Sequence, residues 1–287
     1  MPISKKVLFV LIFAGVACLI SVHTQKSEAQ DPIFFADFDA EGIPDNGVND
    51  PGNWKPENPS ITWAIGDFPA NGTQALQMTG SGCGSSGFTP FPTVENWSDG
   101  IIQVDLGWND DDSWGIMFRR QDEMTGYFAY FGYIETLSLA LFDLAGGCGV
   151  NGLCISEAGC EEGPEPGANV TEASAIKTVL HNLPEPLTQA ADVSYTARIM
   201  AVGPRIKIWY GLTDNFPADP LQDPDSSKMA SMIEVEDPTY TSGSVGIWHE
   251  SNDNGIVDNI YVFDQTALTA VAPQGKLTIT WGALKAR

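Results

Sequence analysis

Basic residues are scarce in this sequence: 14 Lys and Arg stand against 37 Asp and Glu, for a formal charge of −23. A field that acidic repels nucleic acid and anionic lipid, which makes both poor partners. It suits calcium binding, a saline environment, or plain solubility. Histidine is scarcer still. His23, His181 and His249 are isolated from one another and from any nucleophile pattern, so no nucleophile–base pair can be built from local sequence. A phosphate loop, a dinucleotide fingerprint and a closely paired zinc motif are also missing. No long segment carries a 3.6-residue apolar period, which argues against a helical protein. No repeat of fixed period is visible, which disfavours a propeller or solenoid.

Long apolar runs are equally rare, and the one present lies at the N-terminus. Lys5 and Lys6 precede the apolar residues 7–22, and a polar stretch follows that ends in "SEA" at Ala29. A positive start, an apolar middle and small residues at −3 and −1 predict a secretory signal peptide over residues 1–29. The run is short for a membrane span, which needs about 20 apolar residues, although an uncleaved anchor is the alternative. A lipoprotein would use Cys18, but Gly15 stands where the lipobox normally has Leu. With no later stretch able to span a bilayer, the mature chain is expected to be secreted, periplasmic or at the cell surface. Losing Lys5, Lys6, Lys26 and Glu28 makes it more acidic still.

Cleavage leaves Cys83, Cys148, Cys154 and Cys160. An even count in an oxidising compartment implies disulfides, with three pairings open. Zinc competes, but C-x5-C-x5-C lacks the close pairs of structural zinc sites. Three of these cysteines lie in a Gly-rich insertion near residues 145–168 with almost no periodicity, where cross-links would be the main source of order.

The remainder alternates. Residues 33–39 look like an opening strand, and 61–66 and 74–79 are short strand candidates. Clearer strands follow at 100–108, 113–119, 127–133 and 136–142, and 175–183 reads as strand or short helix. Residues 192–200 and 205–210 flank a Gly-Pro turn and predict a hairpin. Residues 213–227 form a Pro/Asp loop, 229–235 another strand candidate, and 242–264 a strand, a polar turn and a strand. Short strands with frequent turn signals predict an all-β, two-sheet antiparallel sandwich.

From Gly100 the chain runs "VDL", "SWGIMFR", "YFAYF", "LSLALF", "SYTARIMAVGPRIKIWYG" and "SGSVGIWHESN…VDNIYVFD", after an opening "FADFDAEG". That succession resembles the concanavalin A-like lectin/glucanase jelly rolls, including laminin-G-like domains, over residues 30–264. The resemblance implies two face-to-face antiparallel sheets with adjacent first and last strands, and glycans bound on the concave sheet. It also implies calcium bridging the terminal strands, through Asp37 or Asp39 with Asp258 and backbone carbonyls; calcium takes six to eight oxygen ligands. The alternative is that these acids cap strand ends.

Glucanases of this superfamily carry an E-x-D-x-x-E strand, because one carboxyl must protonate the leaving oxygen while another attacks or activates water. The nearest segment here is "IEVEDPT", where Glu stands for Asp, Thr239 replaces the last Glu and Pro238 disfavours an inner strand. An exposed acidic strand end is the better reading of Glu234 and Glu236. The "DFD", "FR" and "VDN" elements are also similar to 3-keto-disaccharide hydrolase domains. This would make Arg119, with Arg120 beside it, Tyr130, His249 and Glu250 the catalytic candidates.

For sugar binding the useful residues are aromatic platforms with polar neighbours. Trp248 leads because Val245, Ile247 and His249 occupy the other face of its strand. Trp209 follows on the same parity argument, and Asp112 with Trp114 would form a rim, with Arg119 as a polar contact. Most buried tryptophans in a sandwich are core, and that is the competing reading of each. The tail, 265–287, is basic and lacks acids, which suggests either surface tethering or a flexible extension. The sequence therefore points to an exported jelly roll that binds a glycan or cell-surface polysaccharide, with a structural calcium. A glycan-active hydrolase and an adhesive surface protein are the alternatives.

Overall fold

A computed structural model describes residues 30–39, 49–59, 61–68, 72–79, 86–108, 113–122, 125–132, 137–143, 176–183, 193–250 and 254–271. The segment expected to be a signal peptide, Asp112 and all the cysteines expected in disulfides lie outside these residues, as does residue 272 onward. Among the described residues no helix is long and apolar enough to cross a membrane.

Two antiparallel sheets account for nearly all of the regular structure. Strand β1 (Phe34–Ala36) is short, and β2 (Thr62–Phe68) and β3 (Thr73–Thr79) pair along their full lengths. Strand β4 (Ser86–Pro90) follows, just after a Gly/Ser-rich stretch and where the sequence pattern marks no strand. Strands β5 (Gly100–Gly107), β6 (Ser113–Arg120), β7 (Thr125–Gly132), β8 (Leu137–Asp143) and β9 (Ile176–Leu183) come next. Segment 175–183 is thus resolved as strand. The expected hairpin is present as β10 (Tyr195–Val202) and β11 (Arg205–Leu212), closed at Gly203 with φ of 55°. Strands β12 (Ser231–Glu236), β13 (Ser244–Glu250) and β14 (Ile256–Asp264) complete the set.

The first sheet runs β12-β11-β10-β5-β14-β3-β2, with β1 beside β14; the second runs β4-β13-β6-β7-β8-β9. The terminal strands are therefore neighbours, with Phe34 opposite Val262. Segment 242–264, which reads as a hairpin in sequence, is not one. Strand β13 pairs with β4 and β6 in the second sheet, and β14 pairs with β5, β3 and β1 in the first. The two strands belong to different sheets because each has an apolar inner face that must meet the opposite sheet.

Alternation sets the layers. In β5, Ile102, Val104 and Leu106 face the core, as do Ile206, Ile208 and Tyr210 of β11 and Val245 and Ile247 of β13. Trp114, Phe118, Tyr127 and Phe131 meet them from the second sheet. Gln265–Val271, assigned to the tail by composition, forms helix α1, and its Ala267 packs on Ile101 and Phe263.

Candidate functional site

Inward side chains build one core, so candidate binding groups must come from the two outer faces, and these differ in kind. On the second sheet the outer positions include Phe88, Gly115, Phe128, Tyr130, Gly246 and Trp248. Trp248 stands opposite Phe88 on β4 and Gly115 on β6. Its ring meets Phe128 edge-on at 5.1 Å and lies 6.2 Å from Tyr130. Two glycines allow this. A Cβ on Gly115 would come within 2.3 Å of the Phe128 ring, and one on Gly246 within 2.5 Å of Phe88. The rings therefore lie down on bare backbone. The Tyr130 hydroxyl shares a 2.7 Å hydrogen bond with Ser113.

One end of this aromatic row is charged. Arg120 sits 4.3 Å over the Phe88 ring and is held by both carboxylate oxygens of Glu57, at 2.7 and 2.8 Å. Glu57 is fixed in turn by its backbone N–H, which donates to the Phe88 carbonyl. The Glu57 side chain keeps 24% of its exposure, against 7% for Arg120, so solvent reaches the row from this end. Two buried donors on this face, Trp248 Nε1 and Arg120 Nε, have no hydrogen-bond partner among the described residues.

The outer face of the first sheet is polar. Thr196, Asp105 and Asp258 form one row across β10, β5 and β14, and Trp209, Arg198, Gln103 and Tyr261 form the next. Asp105 accepts from Thr196 Oγ1 and, at 3.1 Å, from Asn259 Nδ2. Asp258 Oδ2 accepts from Thr73 and Asn259. Burial pushes the Asp105 carboxyl up to about 6, against the pull of those hydrogen bonds and of Arg198. Burial also pushes Asp258 up to about 7, with Asp105 and Asp37 adding like-charge repulsion. Arg198 donates Nε–H to Gln103 at 2.8 Å and Nη1–H to the Gln222 carbonyl, and burial lowers it to about 10.

The residues expected from sequence to make one site are distributed over three layers. Trp248 and Tyr130 are on the outer face of the second sheet, Trp209 is on the outer face of the first, and Trp114 is in the core. Trp114 donates its indole N–H to the Gly107 carbonyl. His249 also points inward, edge-on to Trp63 and Trp114, and full burial lowers it to about 3, so it is neutral. Arg119 is a clamp rather than a ligand contact. With φ of 48°, it donates to the carbonyls of Ser98 and Tyr240 and to Asp99, and is fully buried. No shared cleft joins Arg119, Tyr130 and His249; the side chain of Glu250 lies outside the described set. Glu234 and Glu236 are exposed on edge strand β12, beside Arg205 and Lys207.

The acids expected to hold calcium do not close into a ligand set. Asp39 Oδ1 accepts from the Gln74 N–H, and Asp37 Oδ1 accepts from the Asp39 N–H. Among the described residues no three acidic, His or Cys side chains converge as metal ligands. What sequence reasoning passed over is the outward parity of Gln103, Asp105 and Arg198, which their strands display. It also missed Glu57 and Phe88, whose segments carry no pattern.

No protein-family model matches the chain, and no curated protein matches it in sequence. Among solved structures it is similar to the carbohydrate-binding module CBM66 from Bacillus subtilis, at 16% identity and a TM-score of 0.44, covering 72% of this chain and 93% of that one. A Bacillus subtilis protein of unknown function with a galectin-like fold gives 9% identity and a TM-score of 0.46, with 81% and 96% covered. The exoplasmic/lumenal domain of VIP36, bound to Ca2+ and Man3GlcNAc, gives 8% identity and a TM-score of 0.44, with 71% and 85% covered.

Proposed function

We propose that this chain binds carbohydrate on the outer face of its second sheet. The supporting observation is an aromatic row laid on glycine backbone that still holds a buried, unpaired indole N–H at Trp248. Aromatic faces pack against the apolar C–H surface of a sugar ring, while a free N–H and a fixed carboxylate meet its hydroxyls. Trp248, Phe128 and Phe88 supply the first property. Trp248 Nε1, Arg120 and Glu57 supply the second. Trp248, Phe128 and Tyr130 are closed to solvent, so binding on them requires the face to open, and the Arg120–Glu57 end is the part that solvent reaches.

Export is part of the same reading and rests on residues 1–29: a signal peptide would deliver the domain to the cell surface or beyond it. Calcium is a second reading, favoured by one atom. Asp258 Oδ1 is buried and unpartnered, close enough to Asp105 and Asp37 to feel their charge. A cation there would lower the Asp105 and Asp258 carboxyls. A melting temperature unchanged between calcium and chelator overturns that reading.

A glycan array, followed by a reducing-sugar assay on the glycans retained, tests the main proposal. Retention without release of reducing ends is the expected result. Release would make the chain a hydrolase, and no retention would leave a structural or adhesive role.

A further inference from the structure

We propose that the outer face of the first sheet, from Arg198 and Trp209 to Asp258, is a second ligand site, with loop 213–228 over its Arg198 end, and that it takes an extended, neutral, hydroxyl-rich molecule: an oligosaccharide or polyol. It uses none of the residues assigned to the aromatic face and stands or falls separately from it.

Three buried side chains on this one face each leave a polar atom without a hydrogen-bond partner among the described residues: Arg198 Nη2, Trp209 Nε1 and Asp258 Oδ1. Each of these residues is only 1% exposed. Two orphans of one kind could be a packing accident, but these are two donors and an acceptor on neighbouring rows. Arg198 faces Trp209 directly across β10 and β11. Asp258 is two strands from Arg198 and two residues along, which at ordinary strand spacing and rise is about 12 Å between Cα atoms. That separation is too great for one ion or one water to satisfy all three.

The mixture of donors and acceptor selects the chemistry. A metal cation at Asp258, the second reading above, would leave the Arg198 and Trp209 donors unmatched, since a cation cannot accept a hydrogen bond. An anion would accept from Arg198 and Trp209 but leave Asp258 unmatched, and it would meet the charges of Asp105, Asp219 and Asp223 that already act on Arg198. A hydroxyl both donates and accepts. A row of hydroxyls on one molecule fits all three atoms and adds no charge among the carboxylates.

The roof over Arg198 is a loop with little regular structure. Loop 213–228 has only short 3₁₀ turns at its ends, Thr213–Asn215 and Ser226–Lys228. Its anchors on the face are Thr213, tied to Ser194 and Thr196, Phe216 at 5.2 Å from the Arg198 guanidinium, the Gln222 carbonyl, which accepts from Arg198, Leu221 packed on Ile101 and Phe263, and the buried Pro224. Most of its polar residues are exposed. Arg198 thus holds the loop with one nitrogen while keeping another free, so lifting the loop presents a guanidinium and an indole edge together.

The test is an NMR titration of the full chain that follows the indole N–H signals, assigned with Trp209→Phe and Trp248→Phe. The probes are neutral gluco-, manno- and galacto-oligosaccharides of two to six residues and linear polyols, with uronate oligomers and calcium chloride as the other arms. A neutral oligosaccharide or polyol is expected to shift the Trp209 signal. Asp258→Asn is expected to weaken that binding about tenfold at the Trp209 signal, Trp209→Phe, which keeps a ring and removes the donor, to weaken it about tenfold by calorimetry with the same ligand, and Trp248→Phe to leave the Trp209 response unchanged. A response only to uronates or calcium overturns the proposal, as does silence of Trp209 to every probe. Binding that Trp209→Phe and Asp258→Asn leave intact also overturns it. Shifts confined to Trp248 would overturn this site and leave the aromatic face standing.

Discussion

The two outer faces of one sandwich have been covered in opposite ways. The second sheet carries rings on glycine, with its polarity gathered at one end. The first sheet carries acids, Gln103 and Arg198 across its centre, with a loop over Arg198. Both are nearly dry, so the difference is in what burial does to them. Burial of Phe128 and Trp248 releases apolar surface from water and stabilises the fold. Burial of Asp105 and Asp258 disfavours their charged forms and stabilises the fold only when they are protonated.

Truncation should show the largest contrast. Phe128→Ala removes a fully buried ring from the aromatic face and is expected to cost about 3–5 kcal/mol in urea unfolding. On the polar face Asp258→Asn should act in the reverse direction, adding about 2 kcal/mol at pH 8, because it removes a carboxylate that is ionised there at the expense of solvation. Equal losses for both variants would break the comparison.

Next in size is the pH dependence, where His249 opposes the acids. His249 is lowered to about 3 in the folded chain, so between pH 6.5 and 3 the unfolded chain binds more protons and stability falls as pH falls. The loss from this residue alone is about 1.4 kcal/mol per pH unit. Asp105 and Asp258 are raised to about 6 and 7, so between those values and 3.8 the folded chain binds more protons and stability rises as pH falls. The two trends partly cancel in the wild type. His249→Leu should therefore become more stable from pH 7 to 4, and Asp258→Asn should lose stability over the same range. Parallel profiles for the two variants would contradict these assignments.

The smallest effect belongs to the edge strand. Glu234→Gln removes an exposed pair with Arg205, and its unfolding free energy should change by less than about 0.5 kcal/mol.

Much of the fold was legible because alternation reports which side of a strand is buried: Trp209 and Trp248 face outward as their neighbours require. Sheet membership was less legible. The turn before Ile256 has the composition of a hairpin, and only the need of β13 and β14 to face each other across the core shows that it joins two sheets. The candidate site was hidden for a similar reason. Arg119 sits in a strand of ligand-like parity, yet its positive φ turns it to the carbonyls of Ser98 and Tyr240. Glu57 reaches Arg120 from a loop that no periodicity marks.

Carbohydrate recognition by the aromatic face is tested most directly by calorimetric titration of wild type and Trp248→Phe with a glycan retained on the array. Binding by the wild type, weakened at least about tenfold in a variant that melts within a few degrees of it, is the predicted result. Equal binding by the two proteins would contradict it.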